Sequence, residues 1–243
     1  MRIRFVIYML TASIFCPGGV GQIHRPASGS GSYINNSSLD TLPFVRMSNS
    51  VALRSKIDPS TAEGKRAARY ESPDDVPLYD PQTKALNNKS HPATLANPVG
   101  GSLPVNIADI IVVGDITSEA AHITKSGARI YTTFVFKPIA YLKELHGTLP
   151  IPVFLERGGG VALLPSGEKV LTGTAGFGIP EPHGTYLVFL KYTGIENSYQ
   201  IVTGFLLDGT KVAALDRRGD SLNGIDSSDL VDKINSALHS TNK

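Results

Sequence analysis

Asp109-Ile110-Ile111-Val112-Val113-Gly114 and, shortly after it, Arg129-Ile130-Tyr131-Thr132-Thr133-Phe134-Val135-Phe136-Lys137 decide the fold class of this chain. Between its acid and its glycine the first run is wholly apolar and β-branched, the composition of a strand covered on both faces. The second alternates. Ile130, Thr132, Phe134 and Phe136 point one way, and Tyr131, Thr133, Val135 and Lys137 the other, so that one face packs a core. Pro138 has no amide hydrogen to give a ladder and predicts a bend or an edge position at the end of this strand.

The same grammar continues toward the C-terminus. Ile151 to Glu156 reads as a third strand and Gly158-Gly159-Gly160 as a kink. Val161 to Leu164 and Glu168 to Leu171 read as the arms of a hairpin around Pro165-Ser166-Gly167. Tyr186-Leu187-Val188-Phe189-Leu190 is a second central strand, and Tyr199 to Leu207 pairs with Lys211 to Leu215 across Asp208-Gly209. From Ser227 to His239 the period changes: Leu230, Val231, Ile234, Ala237 and Leu238 lie at helical spacing, with Asp226 or Ser227 as cap. The predicted architecture is therefore mostly all-β. A small antiparallel OB-like β-barrel spans residues 106–216, and a turn and an amphipathic C-terminal helix over 217–243 close one end of it or pack on its outside.

Upstream the pattern is lost. From Gln22 to about Val105 the chain is rich in Ser, Asn, Pro and Gly, and no period of 2 or 3.6 is sustained. Too little apolar surface is present to offset the entropy of ordering it, so residues 22–105 read as a flexible arm. One short helix is expected in it, capped at Asp58 with Pro59 at its first position, weakened by Gly64 and running to about Tyr70.

Arg2 and Arg4, the apolar run Phe5 to Phe15 and the breaker Pro17-Gly18-Gly19 have the layout of an export signal. The run is too short for a membrane span, which takes about 20 apolar residues. Small residues at Gly19 and Gly21 place cleavage before Gln22, giving an exported chain, secreted or periplasmic, with residues 1–21 removed and no membrane span left. Cys16, the single cysteine of the 243 residues, leaves with the signal. The mature chain then has no disulfide, thiolate ligand or cysteine nucleophile. With 23 Lys and Arg against 21 Asp and Glu, and no run of five or more like charges, a nucleic-acid partner is not expected.

The blocks Ala108 to Gly114, Tyr131 to Phe136 and Tyr186 to Lys191, followed by the closing hairpin, resemble exported bacterial small β-barrel proteins of the OB type, in the netrin-like and tissue-inhibitor-of-metalloproteinase-like branch. The resemblance covers about Ile107 to Asp216 and implies the barrel fold. Inhibitors of that branch chelate a target zinc through an amino-terminal cysteine and rely on disulfides. This chain, with a long arm and no mature cysteine, departs from that mechanism.

Motifs for a serine hydrolase elbow, a zinc protease helix and a phosphate-binding loop are absent from the sequence. Two tetrapeptides repeat, Glu144-Leu145-His146-Gly147 and Glu181-Pro182-His183-Gly184. A Glu and a His two apart in extended chain face one side, so Glu144, His146, Glu181 and His183 would form a zinc site if the two loops met. Tyr131, Tyr192 and Tyr199 are candidates for a binding face on which a ligand stacks. The aspartates from Asp216 to Asp229 do not fit a calcium loop and read as a solvated turn. The leading expectation is a non-enzymatic binding or structural module recognising a protein or envelope component. The alternatives are a metal-dependent hydrolase built on the two Glu-x-His pairs, and an inhibitor of a secreted enzyme.

Overall fold

A computed structural model of the chain describes residues 39, 41–49, 53–54, 56–80, 82, 85–86, 103–144, 149, 151–173 and 177–241. The expected export signal, with Cys16, and His146 lie outside the described residues.

The elements run β1 (Phe44–Arg46), α1 (Ala62–Arg69), β2 (Tyr79–Asp80), β3 (Ala85–Leu86), β4 (Ile110–Ile123), β5 (Ile130–Lys143), β6 (Val153–Gly158), β7 (Gly160–Leu163), β8 (Lys169–Thr172), β9 (Thr185–Tyr192), β10 (Ser198–Asp208), β11 (Lys211–Ala214) and α2 (Ser227–Thr241). The larger sheet closes on itself in the order β4-β5-β6-β10-β9-β4, a five-stranded barrel. Every pairing in the ring is antiparallel except β6 with β10, which run parallel. Five strands close only if they coil strongly, and the two 14-residue strands β4 and β5 do so through register shifts at Ile111/Val112, Val113/Gly114 and Ile116/Ser118.

The barrel interior is filled by Ile110, Val112, Ile116, Phe134, Phe136, Val153, Leu155, Val188 and Leu190. The alternate residues of β4 and β9, Ile111, Leu187 and Phe189, face outward and are covered by Leu230 and Ile234 of α2. That double cover explains why both strands read as continuous apolar runs. It also settles the place of the C-terminal helix: α2 packs on the outside of the barrel. Pro138 falls where β5 pairs only with β4, since the β5–β6 ladder ends at Phe136. Its missing donor is thus on the unpaired side.

Gly159 has φ +110, which turns the chain out of β6 into β7. There β7 and β8 form the expected hairpin, and β1 adds to it as a parallel strand, Val45 opposite Ala162. The β10–β11 turn sits one residue later than its sequence signal: Asp208 pairs with Lys211 and the loop is Gly209-Thr210.

Part of the stretch read as a flexible arm is folded onto the barrel. Val45, Met47 and Tyr79 form a cluster with Ile123, Ile130 and Ala162 at the far end of the β4–β5 hairpin. Around the β4–β5 turn, Asp75 accepts hydrogen bonds from Arg129 Nε and Nη2 (3.1 and 2.9 Å), and Glu71 Oε1 accepts from the Ser126 amide (2.6 Å). The expected short helix is present, but its cap is Thr61, whose Oγ1 accepts from the Gly64 amide at 3.1 Å. Asp58 is diverted: its carboxylate is taken by the Ser60 amide and hydroxyl, which bends the chain one turn earlier. Gly64 is buried, and a Cβ there would meet the Asp58 carbonyl oxygen at 2.0 Å, so the glycine is what lets the helix close on its own entry turn.

Candidate functional site

The outer face of β5 and β6 is the face on which OB barrels bind ligands. In this chain α1 lies over it. Alternation along β5 sends Tyr131 and Thr133 outward, as the sequence implied, but Tyr131 is fully buried because the helix covers it. Its ring stacks on Tyr70, at the end of α1, and on His122 of β4, both centroids at 5.0 Å and the planes nearly parallel. Tyr131 is therefore corrected from an open stacking residue to the middle of an internal three-ring stack. The side chain is wholly shielded from solvent.

His122 is fixed at both nitrogens. Nε2 shares a hydrogen bond with Thr133 Oγ1 at 2.8 Å, and Nδ1 lies 3.5 Å from Glu63 Oε1 of α1. Burial pushes the His122 pKa down, and the nearby Glu63 carboxylate opposes that only in part, so the ring is neutral at neutral pH. On the same strand Glu119 is pushed up to about 7, first by burial and then by the negative charge of Glu181. A groove of about 280 Å³ opens beside α1, lined among others by Glu63, Arg66, Glu119, His122, Tyr131 and Thr133. A second, of about 490 Å³, lies on the other side of Glu63 and His122, with Arg46 and Lys56 on its rim and Leu53, Ile57 and Ile123 in its wall.

Deeper under α1 sits Glu156, completely buried in β6. Its Oε1 accepts from Arg69 Nη1 at 2.5 Å and from Ser198 Oγ at 3.0 Å. Arg69 Nη2 donates to the Thr193 carbonyl at 2.9 Å, and Arg66 Nε donates to Ser198 Oγ at 3.1 Å. The Arg66 guanidinium also lies over the Phe154 ring, 5.1 Å from its centroid. Glu156 Oε2 and the Tyr70 hydroxyl are buried without a hydrogen-bond partner among the described residues. Burial, with the Glu156 charge nearby, holds the Tyr70 phenol far above its ordinary pKa.

The next residue of the strand, Arg157, points the other way and pairs with Asp216 at one end of the barrel, where Asp216 also accepts from the Gly178 amide at 3.2 Å. Asp216 is buried, which corrects its reading as part of a solvated turn. Asp226, the expected cap, directly precedes α2, with its carbonyl accepting from the Leu230 amide at 3.1 Å and its carboxylate paired with Lys211 at 3.2 Å.

The remaining sequence candidates are spread over the barrel. Tyr192 and Tyr199 form a cross-strand pair on β9 and β10, centroids 5.5 Å apart, with Tyr192 half exposed. They share no face with Tyr131. Glu181 and His183 are exposed in the loop before β9, His183 in the left-handed region at φ +62, its amide bonded to the Ile116 carbonyl. Glu144 is exposed and follows Lys143, the partner of Ile111. Ile111 and Ile116 are five residues apart on β4, roughly 16 Å at 3.3 Å per residue. Glu144 and the Glu181–His183 loop therefore stand at separated points of the barrel wall. Among the described residues no three His, Cys, Asp or Glu side chains converge as metal ligands would.

Sequence reasoning passed over Glu63, Arg66, Arg69, Glu119, His122 and Glu156. Two signals were present: adjacent charges inside an apolar strand at Glu156-Arg157, and a helical stripe of Glu63, Arg66 or Ala67, and Tyr70 in an otherwise polar segment. Comparisons of the chain with family models, curated proteins and solved structures find no match.

Proposed function

We propose that this protein is a non-enzymatic binding module, exported on the signal at residues 1–21, that recognises another protein or an envelope component. Recognition uses the β5–β6 face of the barrel together with the groove beside α1. The observation that carries the reading is the concentration of chemistry at that one place. A fully buried carboxylate, two arginines, a neutral histidine, a raised carboxyl and a three-ring stack gather under and beside an eight-residue helix. The netrin-like or tissue-inhibitor-like kinship belongs to the same proposal, supported by the strand pattern.

The test is site-directed photo-crosslinking in the native envelope. A photoreactive residue in place of Thr133, in the groove, should give a discrete adduct. The same residue in place of Lys233, exposed on α2, should not. Adducts from Lys233 alone, or equally from both, would move recognition off this face.

A second reading has one specific observation behind it. Glu63, His122 and Thr133 stand in the order of an acid, a base and a hydroxyl nucleophile. Against it, β5 is paired on both sides through Thr133, so its amides are engaged in the ladders and do not form an oxyanion hole. Ester hydrolysis by the purified chain that disappears in H122A and in T133V would favour this reading over binding alone.

A further inference from the structure

The geometry points to a guanidinium-recognition pocket in the barrel wall, held in this state by the chain's own Arg69 and suited to an arginine-bearing segment of a partner protein. The inference rests on the binding reading above and names the chemistry of the partner.

The pocket is built for a planar fork of donors. Its floor is the Glu156 carboxylate, its side is the Thr193 carbonyl, and Ser198 Oγ orients the carboxylate from within. A carboxylate in a fully buried position is costly unless a cation and several hydrogen bonds meet it. Arg69 supplies the charge but leaves the arrangement incomplete. It reaches Oε1 alone, and Oε2 stays buried with no donor among the described residues. A guanidinium presents parallel N–H bonds that match both oxygens of a carboxylate, so the resident arginine does not exhaust what the site offers. Lysine, a single ammonium, would not satisfy Glu156 and the Thr193 carbonyl together in this way.

The resident occupant sits on a short helix. In α1 only Gly64 and Ala67 are buried, two residues with almost no side chain to bury, and Ala67 and Tyr70 make the apolar contact with Tyr131. Eight residues are too few for a helix to persist alone in water, so α1 depends on its contacts with the wall, the arginine contacts among them. An incoming segment with an arginine aligned on both oxygens competes with α1 for the same wall. Arg66, lying over Phe154 and bonded to Ser198, marks a second cation position beside the first.

The experiment uses the full chain with Arg69→Ala, which vacates the pocket, and N-acetyl-arginine amide as the probe. Thermal melting should show a saturable rise in Tm with the arginine amide, several-fold larger than with N-acetyl-lysine amide. The rise should vanish in the double variant R69A/E156Q. R69K, which keeps the charge and loses the fork, should melt like R69A rather than like the wild type. Equal shifts from both amides, a shift that survives E156Q, or no shift in R69A would each overturn the pocket. Should the pocket fail while Thr133 still crosslinks a partner, the arginine chemistry falls and the binding face stands. The loss of both would remove the face itself.

Discussion

Replacing Glu119 by Gln should stabilise the protein, and by an amount that depends on pH. Glu119 stands opposite Phe134 in the β4–β5 ladder, partly buried, with its pKa raised from 4.5 to about 7. Below 4.5 the group is protonated in both folded and unfolded chains and contributes no difference. Between 4.5 and about 7 the folded chain holds a proton that the unfolded chain has lost, so stability falls as pH rises through that window and is level above it. Fully expressed, a displacement of that size costs about 3 kcal/mol. Glu119 is in part open to solvent, and screening brings the figure to about 1–2 kcal/mol. Glutamine keeps the shape and does not titrate. The gain of E119Q over the wild type should therefore be near zero at pH 4 and reach about 1–2 kcal/mol at pH 8, or about 2–8 °C in Tm for a chain of this size. Buffer-matched calorimetry across that range reads it directly. His122, whose lowered pKa erodes stability on the acid side, is present in both proteins and cancels in the difference. A stability gap that does not change with pH, or one that narrows as pH rises, would refute the placement of this carboxyl.

Gly64→Ala should destabilise the chain in urea unfolding, although alanine is the better helix former by about 1 kcal/mol, because the new Cβ collides with the Asp58 carbonyl. Ile234→Ala, at a fully buried position where α2 packs on the barrel's outer wall, should cost about 2–5 kcal/mol, which the shift in urea midpoint will report. Breaking one side of the buried pair with Asp216→Ala should cost about 3–5 kcal/mol, whereas removing both charges in R157M/D216L should recover much of it. Intact mass of the exported protein should correspond to a chain that begins at Gln22.

The barrel was legible because its signal is repeated. Ile110 to Val113 and Tyr186 to Leu190 are apolar on both faces since the interior covers one and α2 the other, and β5 alternates through Phe136 because only one of its faces meets the interior. The arm was harder. Its apolar contacts come from scattered residues such as Val45, Met47 and Tyr79, and many others are polar pairs such as Asp75 with Arg129 and Arg69 with Glu156, which have no period to read. The candidate site was hidden for a related reason. Tyr131 has the outward phase of an exposed residue, and only the helix delivered from sixty residues upstream turns it into an interior one. The repeated Glu-x-His tetrapeptides show the opposite failure: similarity along the chain carries no information about separation across a barrel.

The adjacent charges of β6 have a consequence for how the barrel finds its pairing. Glu156 faces Arg69 on one side of the wall, and Arg157 faces Asp216 on the other. If β6 slid by one residue against β5, every side chain would change sides. Slid one way, Arg157 would take the place of Glu156 and press against Arg69; slid the other, Glu156 would take the place of Arg157 and press against Asp216. A slip that apolar residues alone would tolerate, at a strand where Phe154 and Leu155 are both hydrophobic, is thereby met in either direction by a like-charge encounter at a buried position. The two ion pairs thus act as a key cut on both edges, which admits the strand in one register and rejects the next.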